Sequence, residues 1–88
     1  MPYIEEEARK FYDPEISILI GKLKNISQTK AIGRFVYIIY KVALGITKKH
    51  FWCIALIIGG MVCAILEYYR RVASRYEDEK IKENKDVI

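Results

Sequence analysis

The sequence predicts an all-α fold: three helices, the last of them long and almost wholly apolar, in a single domain spanning 1–88. Three observations carry this. Apolar residues recur at helical spacing in three successive blocks. No block alternates apolar and polar residues as a half-buried strand would. Only 5 Gly and 2 Pro occur in 88 residues, too few to punctuate the many tight turns of a β fold.

The first helix is expected at about 14–25. Asp13-Pro14-Glu15 offers an N-cap, a first-turn proline and a carboxylate favourable to the helix dipole. Ile16, Leu19, Ile20 and Leu23 then share one face, with Ser17, Gly21, Lys22 and Lys24 on the other. Ser27-Gln28-Thr29-Lys30 forms a polar break. The second helix is expected at about 31–46, where Ile32, Phe35, Val36, Ile39, Val42, Ala43 and Ile46 keep helical spacing. Its β-branched content admits a strand, but Val36–Tyr40 shows no alternation. Thr47-Lys48-Lys49-His50 is the next break, with Thr47 a candidate cap. The third helix is expected at about 50–76, followed by a charged tail at 77–88 that reads as a solvated helical end or an ordered arm.

Hydrophobic residues make up 52% and charged residues 30%, which excludes disorder as the main state. These averages conceal segregation. Phe51–Leu66 holds sixteen residues without one charge, while 67–88 holds six basic and six acidic groups. The net charge of +4 comes from the middle: seven basic groups against two acidic between residues 13 and 50. The plain reading of that excess is a solubilising surface; nucleic acid or anionic lipid is the sharper one. Residues 1–12 are acidic and polar, so no secretory signal is expected. The bias toward Ile, Lys, Glu and Tyr is that of a thermophile protein.

A helix apolar all round is either a membrane span or the centre of a core. A bilayer needs about 20 apolar residues, with a range of roughly 17–25. Adding His50, Tyr68 and Tyr69 as interfacial residues brings a span at about 50–68 within reach, with Trp52 and the tyrosines where an aromatic belt would lie. Against a span, Lys and Arg flank the run on both sides and give no orientation. Two amphipathic helices also precede it, each with a stripe that needs a protein partner. On composition and spacing both readings stay open.

The C-terminal third adds a resemblance. Ile58-Gly59, Cys63, Leu66-Glu67-Tyr68-Tyr69-Arg70-Arg71-Val72, Tyr76-Glu77-Asp78-Glu79-Lys80-Ile81-Lys82-Glu83-Asn84 and Asp86-Val87, with the opening Met1-Pro2-Tyr3-Ile4, resemble a family of short helical proteins of unknown function from bacteria, archaea and their phages. The likeness covers the first four residues and about thirty at the end; Gly33–Tyr37 is similar less specifically, and residues 5–32 only in pattern. The resemblance implies a soluble, mainly helical protein and supplies no reaction. This chain departs from the family where Val62 replaces a carboxylate, Ile65 replaces a basic residue, Arg75 stands near an expected proline and Lys85 stands where glycine is common. Losing two charges from the long helix implies a widened oligomer interface, formed by Trp52, Leu56, Gly59, Gly60, Cys63 and Ile65. The pairing of both terminal motifs also suggests that Tyr3 and Ile4 dock on the C-terminal segment.

Glu67, Arg70, Arg71 and Arg75 are the candidate charged site. Glu67 can pair with Arg70 or Arg71 at i+3 and i+4, and following sixteen uncharged residues it needs such a partner. The functional alternative is an anion site, in which the arginines and Tyr68, Tyr69 and Tyr76 bind phosphate and stack bases. No nucleic-acid motif accompanies them. Catalysis has no support: His50 is alone, Cys53 and Cys63 lack a low-pKa setting, and Gly59-Gly60 is not followed by Lys-Ser/Thr. Cys53 and Cys63 lie ten residues apart, roughly 15 Å along one helix, which excludes a bond between them. Asn25-Ile26-Ser27 matches a glycosylation triplet, taken as chance without a secretory signal.

The expectation is therefore a cytoplasmic, non-enzymatic interaction or assembly protein, an accessory protein of a phage or prokaryote. Its partner is itself, as a dimer or higher helical bundle through residues 51–66, and it takes no cofactor, metal or small-molecule substrate. The alternatives are a single-pass membrane protein and a nucleic-acid-binding accessory protein using Arg70, Arg71 and Arg75.

Overall fold

The computed structural model describes residues 4–86, which are helical throughout apart from short turns and contain no strand. The chain falls into two units, Met1–Ile46 and Thr47–Ile88. Of the two residues expected to dock, Tyr3 lies outside the described residues and Ile4 is exposed.

The first unit pairs α1 (Glu6–Lys24) with α2 (Gln28–Ile46) through the turn Asn25-Ile26-Ser27. α1 starts eight residues before the position that Asp13-Pro14 marks, with Pro14 inside it. The physical reason lies in the residues upstream. Glu6 and Glu7 occupy the first turn, where carboxylates favour the helix dipole. Lys10 sits 3.6 Å from Glu6 at i+4. The Arg9 N–H reaches the Glu5 carbonyl at 3.0 Å, opening the helix there. Pro14 withholds one backbone donor, and the flanking turns tolerate that loss. Phe11 and Tyr12 meet edge to face at 5.1 Å on the same helix.

α2 opens where Ala31 N–H donates to the Ser27 carbonyl at 2.9 Å, placing Ser27 at the cap and starting the helix three residues before the expected position. It ends at Ile46. The two helices meet beside their turn, around a shallow cleft lined by Ile20, Leu23, Lys24, Gln28, Ala31, Ile32 and Phe35. Leu23, Ile26 and Ala31 are half-buried there. No described residue of this unit is fully buried; Ile16, Ile18, Ile20, Phe35, Val36 and Val42 remain largely open to water.

The second unit is one continuous helix, Phe51–Asn84. It comprises α3 (Phe51–Tyr68), a π turn (Tyr69–Ala73) and α4 (Ser74–Asn84). His50, rather than Thr47, holds the N-cap position: its backbone is extended and its carbonyl accepts from Ile54 N–H at 3.1 Å. The His50 ring stacks on Trp52 at 5.9 Å. Helix continues past residue 76 to Asn84, so most of the expected tail is ordered. Lys80 explains part of this, pairing with Glu83 at 3.0 Å and lying 5.5 Å above the Tyr76 ring. Lys85 closes the helix with φ of 62°. That positive φ suits glycine far better than a residue that carries a Cβ.

Candidate functional site

Two features of the Phe51–Asn84 helix can carry a function: the bare face of α3 and the charged knot that follows it.

From Phe51 to Leu66, α3 carries no charge. The Lys48 N–H contacts Cys53 Sγ at 3.5 Å just before it. Cys53, Ile57 and Met61, spaced four apart, are half-buried. The rest is open: Trp52 is 61% exposed, Leu56 66% and Ile65 65%. Trp52, Leu56, Gly59, Cys63 and Leu66 follow one another at steps of four and three, the spacing of a coiled-coil seam. Gly60 borders that seam. Nothing lies within 4 Å of the Cβ position of either glycine, so backbone can approach closely there. Ile65 does not join this group. Two residues from Cys63 on a helix, it points about 200° away. Both cysteines are free thiols, Cys53 half-buried and Cys63 exposed.

The charged knot centres on Glu67. Its side chain is only 14% exposed, and Arg70 Nη2 donates to Oε1 at 2.7 Å. Arg71 Nε donates to the same oxygen. Hydrogen bonds from Arg70 first and Arg71 second hold the Glu67 carboxyl below the usual carboxylate range, over an opposing push from desolvation. The helix supplies this geometry unaided, because residues three and four apart lie on one side. Two of the three candidate arginines thus each give one donor to the same carboxylate oxygen. Among the described residues Arg75 makes no ion pair with them or with any other group.

Beyond the knot, Tyr69 Oη donates to Glu77, 2.9 Å from Oε2 and 3.2 Å from Oε1. Residues eight apart on a regular α-helix diverge by about 80°. The π turn absorbs one extra residue, which brings the pair to within about 20° of one line. The Glu77 carboxylate raises the Tyr69 phenol above its ordinary value, by its hydrogen bond and then by its charge. Sequence spacing alone gives no sign of this bond, since only the wide turn aligns its partners.

Among the described residues no three His, Cys, Asp or Glu side chains converge as metal ligands. The His50 ring stacks on Trp52.

Residues 1–87 match the family described as Domain of unknown function (DUF6899). The chain belongs to this family. Membership extends the likeness from the two ends of the chain to the whole of it. It brings no reaction with it, and no catalytic function is indicated. No curated protein and no solved structure matches the chain.

Proposed function

We propose that this DUF6899 protein is a self-associating helical protein, non-enzymatic and cytoplasmic, whose role is assembly or interaction rather than turnover. One observation carries the reading: a long helix most of whose apolar side chains are open to water, in a chain where no described residue is fully buried. Removing one Leu, Ile or Phe side chain from water contributes about 1.5–3 kcal/mol. Association costs ~4–15 kcal/mol in lost freedom. A few such residues from each copy therefore suffice to drive pairing. The α1–α2 hairpin points the same way, because its open apolar residues also call for protein cover, which a single lipid span would not give them.

The second reading is a single membrane span. It is favoured by one 18-residue window of the Phe51–Asn84 helix with mean hydropathy 2.0, long and apolar enough to cross a bilayer. The nucleic-acid reading is weaker, because Glu67 engages Arg70 and Arg71.

Fractionation followed by native mass measurement separates these. A stable oligomer in the soluble fraction, made without detergent, is expected. A soluble monomer overturns self-association. Recovery with membranes, released only by detergent, replaces it with the span. A salt-dependent shift of labelled RNA, lost in Arg70→Ala/Arg71→Ala, would promote the third.

A further inference from the structure

We infer that α2 docks on an anionic lipid surface, lying in the plane of the headgroups with its apolar face in the acyl boundary and its basic side chains on the phosphates. This goes beyond the self-association reading. It assigns lipid to α2 alone and leaves α1 and Phe51–Leu66 to protein contact.

The helix divides cleanly around its axis. Ile32, Phe35, Val36, Ile39, Val42 and Ile46 fall within an arc of about 120°. Lys30, Arg34 and Lys41 fall within about 40° of one another on the other side. Tyr40 stands at the border, about 40° from Val36. α1 meets α2 beside their turn, and the apolar arc stays open over the later turns: Val36 is 59% exposed, Val42 58% and Ile46 62%. The three basic side chains are exposed as well, and among the described residues none of them makes an ion pair.

Charge complementarity selects the occupant. α2 holds no acid, and none stands anywhere between Glu15 and Glu67, where the chain carries seven basic groups. A second α2 laid on the apolar arc would cover it and leave the cations of both copies unanswered. Nucleic acid would take the basic side and leave the apolar arc in water. A bilayer rich in anionic phospholipid takes both at once. The apolar arc enters the boundary between headgroups and acyl chains, and the long Lys and Arg stems reach back along the helix to the phosphates. Tyr40 then sits at headgroup depth, where a ring with a polar tip is favoured. A helix apolar on one face and basic on the other is the form that binds such surfaces. Phe51–Leu66 carries no charge, so it gives no means of telling an anionic surface from a neutral one.

Flotation of the full chain with vesicles tests this, using phosphatidylcholine alone and phosphatidylcholine mixed in equal parts with phosphatidylglycerol. Binding to the mixed vesicles is expected, at least about tenfold tighter than to the neutral ones. It should weaken when salt is raised from about 0.1 to about 1 M, which shortens the Debye length from ~10 to ~3 Å. Lys30→Gln/Arg34→Gln/Lys41→Gln should lose about fivefold per residue, on the order of a hundredfold together. Circular dichroism should show its helix content unchanged, because all three side chains are exposed. Val36→Glu/Val42→Glu should reduce binding to the mixed vesicles to the level of the neutral ones. Leu56→Glu, in α3, should keep the preference for the mixed vesicles. No binding to the mixed vesicles, equal binding to both kinds, or a charge variant that binds as wild type does overturns the proposal. So does a preference lost in Leu56→Glu and kept in Val36→Glu/Val42→Glu, which moves the contact to α3. A wild-type chain that ignores both vesicles and shifts labelled RNA replaces lipid with nucleic acid. One released from cell membranes only by detergent, and not by salt, replaces the docked helix with the span. Native mass decides the self-association reading separately, since a soluble monomer and a soluble oligomer can each be scored for flotation.

Discussion

The two halves of the Phe51–Asn84 helix satisfy themselves in opposite ways. α3 carries almost nothing that it can resolve alone. Its side chains are apolar, most of them open, and its glycines leave bare backbone. From Glu67 onward the helix pairs many of its own groups, Glu67 with two arginines, Tyr69 with Glu77, and Lys80 with Glu83 and the Tyr76 ring. The difference teaches that one continuous element can divide two tasks. The first half leaves its apolar side chains open, and the second ties itself together through its own side chains.

The largest test of that division is a charge in the first half. Leu56→Glu places an unpaired carboxylate in the proposed seam and should abolish self-association, weakening it by at least about a hundredfold, since an uncompensated buried charge costs several kcal/mol. Circular dichroism should show the helix retained, because the second half does not depend on Leu56. Next is the end of the second half. Lys85→Gly relieves the left-handed backbone at the C-cap and should stabilise the chain by about 1 kcal/mol, read as a rise in melting temperature.

Protonation sharpens the contrast further. The Glu67 carboxyl is held low in the folded chain. Its contribution is therefore present above the ordinary carboxylate value of about 4.3 and lost as pH falls through the lower folded value. Tyr69 is raised, so its contribution is complete below about 10 and lost as pH rises through the higher folded value. Melting temperature should fall at both extremes, and Glu67→Gln should remove the acid limb of that loss while Tyr69→Phe removes the alkaline one. The smallest effect belongs to Glu83→Gln, about 0.3 kcal/mol, as expected of an exposed i,i+3 pair.

Much of this arrangement is legible in the sequence, and the rest is hidden for definite reasons. The three helical blocks are readable because apolar spacing survives any context. The spacing of Glu67, Arg70 and Arg71 is readable because three and four residues always share a helix face. The start of α1 is not readable at Asp13-Pro14. A proline-led cap is a local signal, and the acidic first turn at Glu6-Glu7 with its Lys10 partner outweighs it. The reach of the last helix to Asn84 is understated because a polar stretch without an apolar stripe gives no periodic signal. The Tyr69–Glu77 bond is invisible, since eight-residue spacing predicts divergence unless a wide turn intervenes. The place of Ile65, on the far side from Cys63, follows from counting around the helix rather than from its chemistry.

The π turn at Tyr69–Ala73 has a consequence for how this chain tolerates changes in length. A wide turn is a place where one surplus residue has been absorbed without turning the flanking segments against each other. Deleting a single residue there, Val72 for instance, should yield an unbroken α-helix in which the apolar run and the charged end keep their mutual facing. The same deletion elsewhere between Phe51 and Asn84 would twist one against the other by about 100°. The five residues of that turn are thus a phase buffer, the one stretch of the helix where chain length and facing are uncoupled.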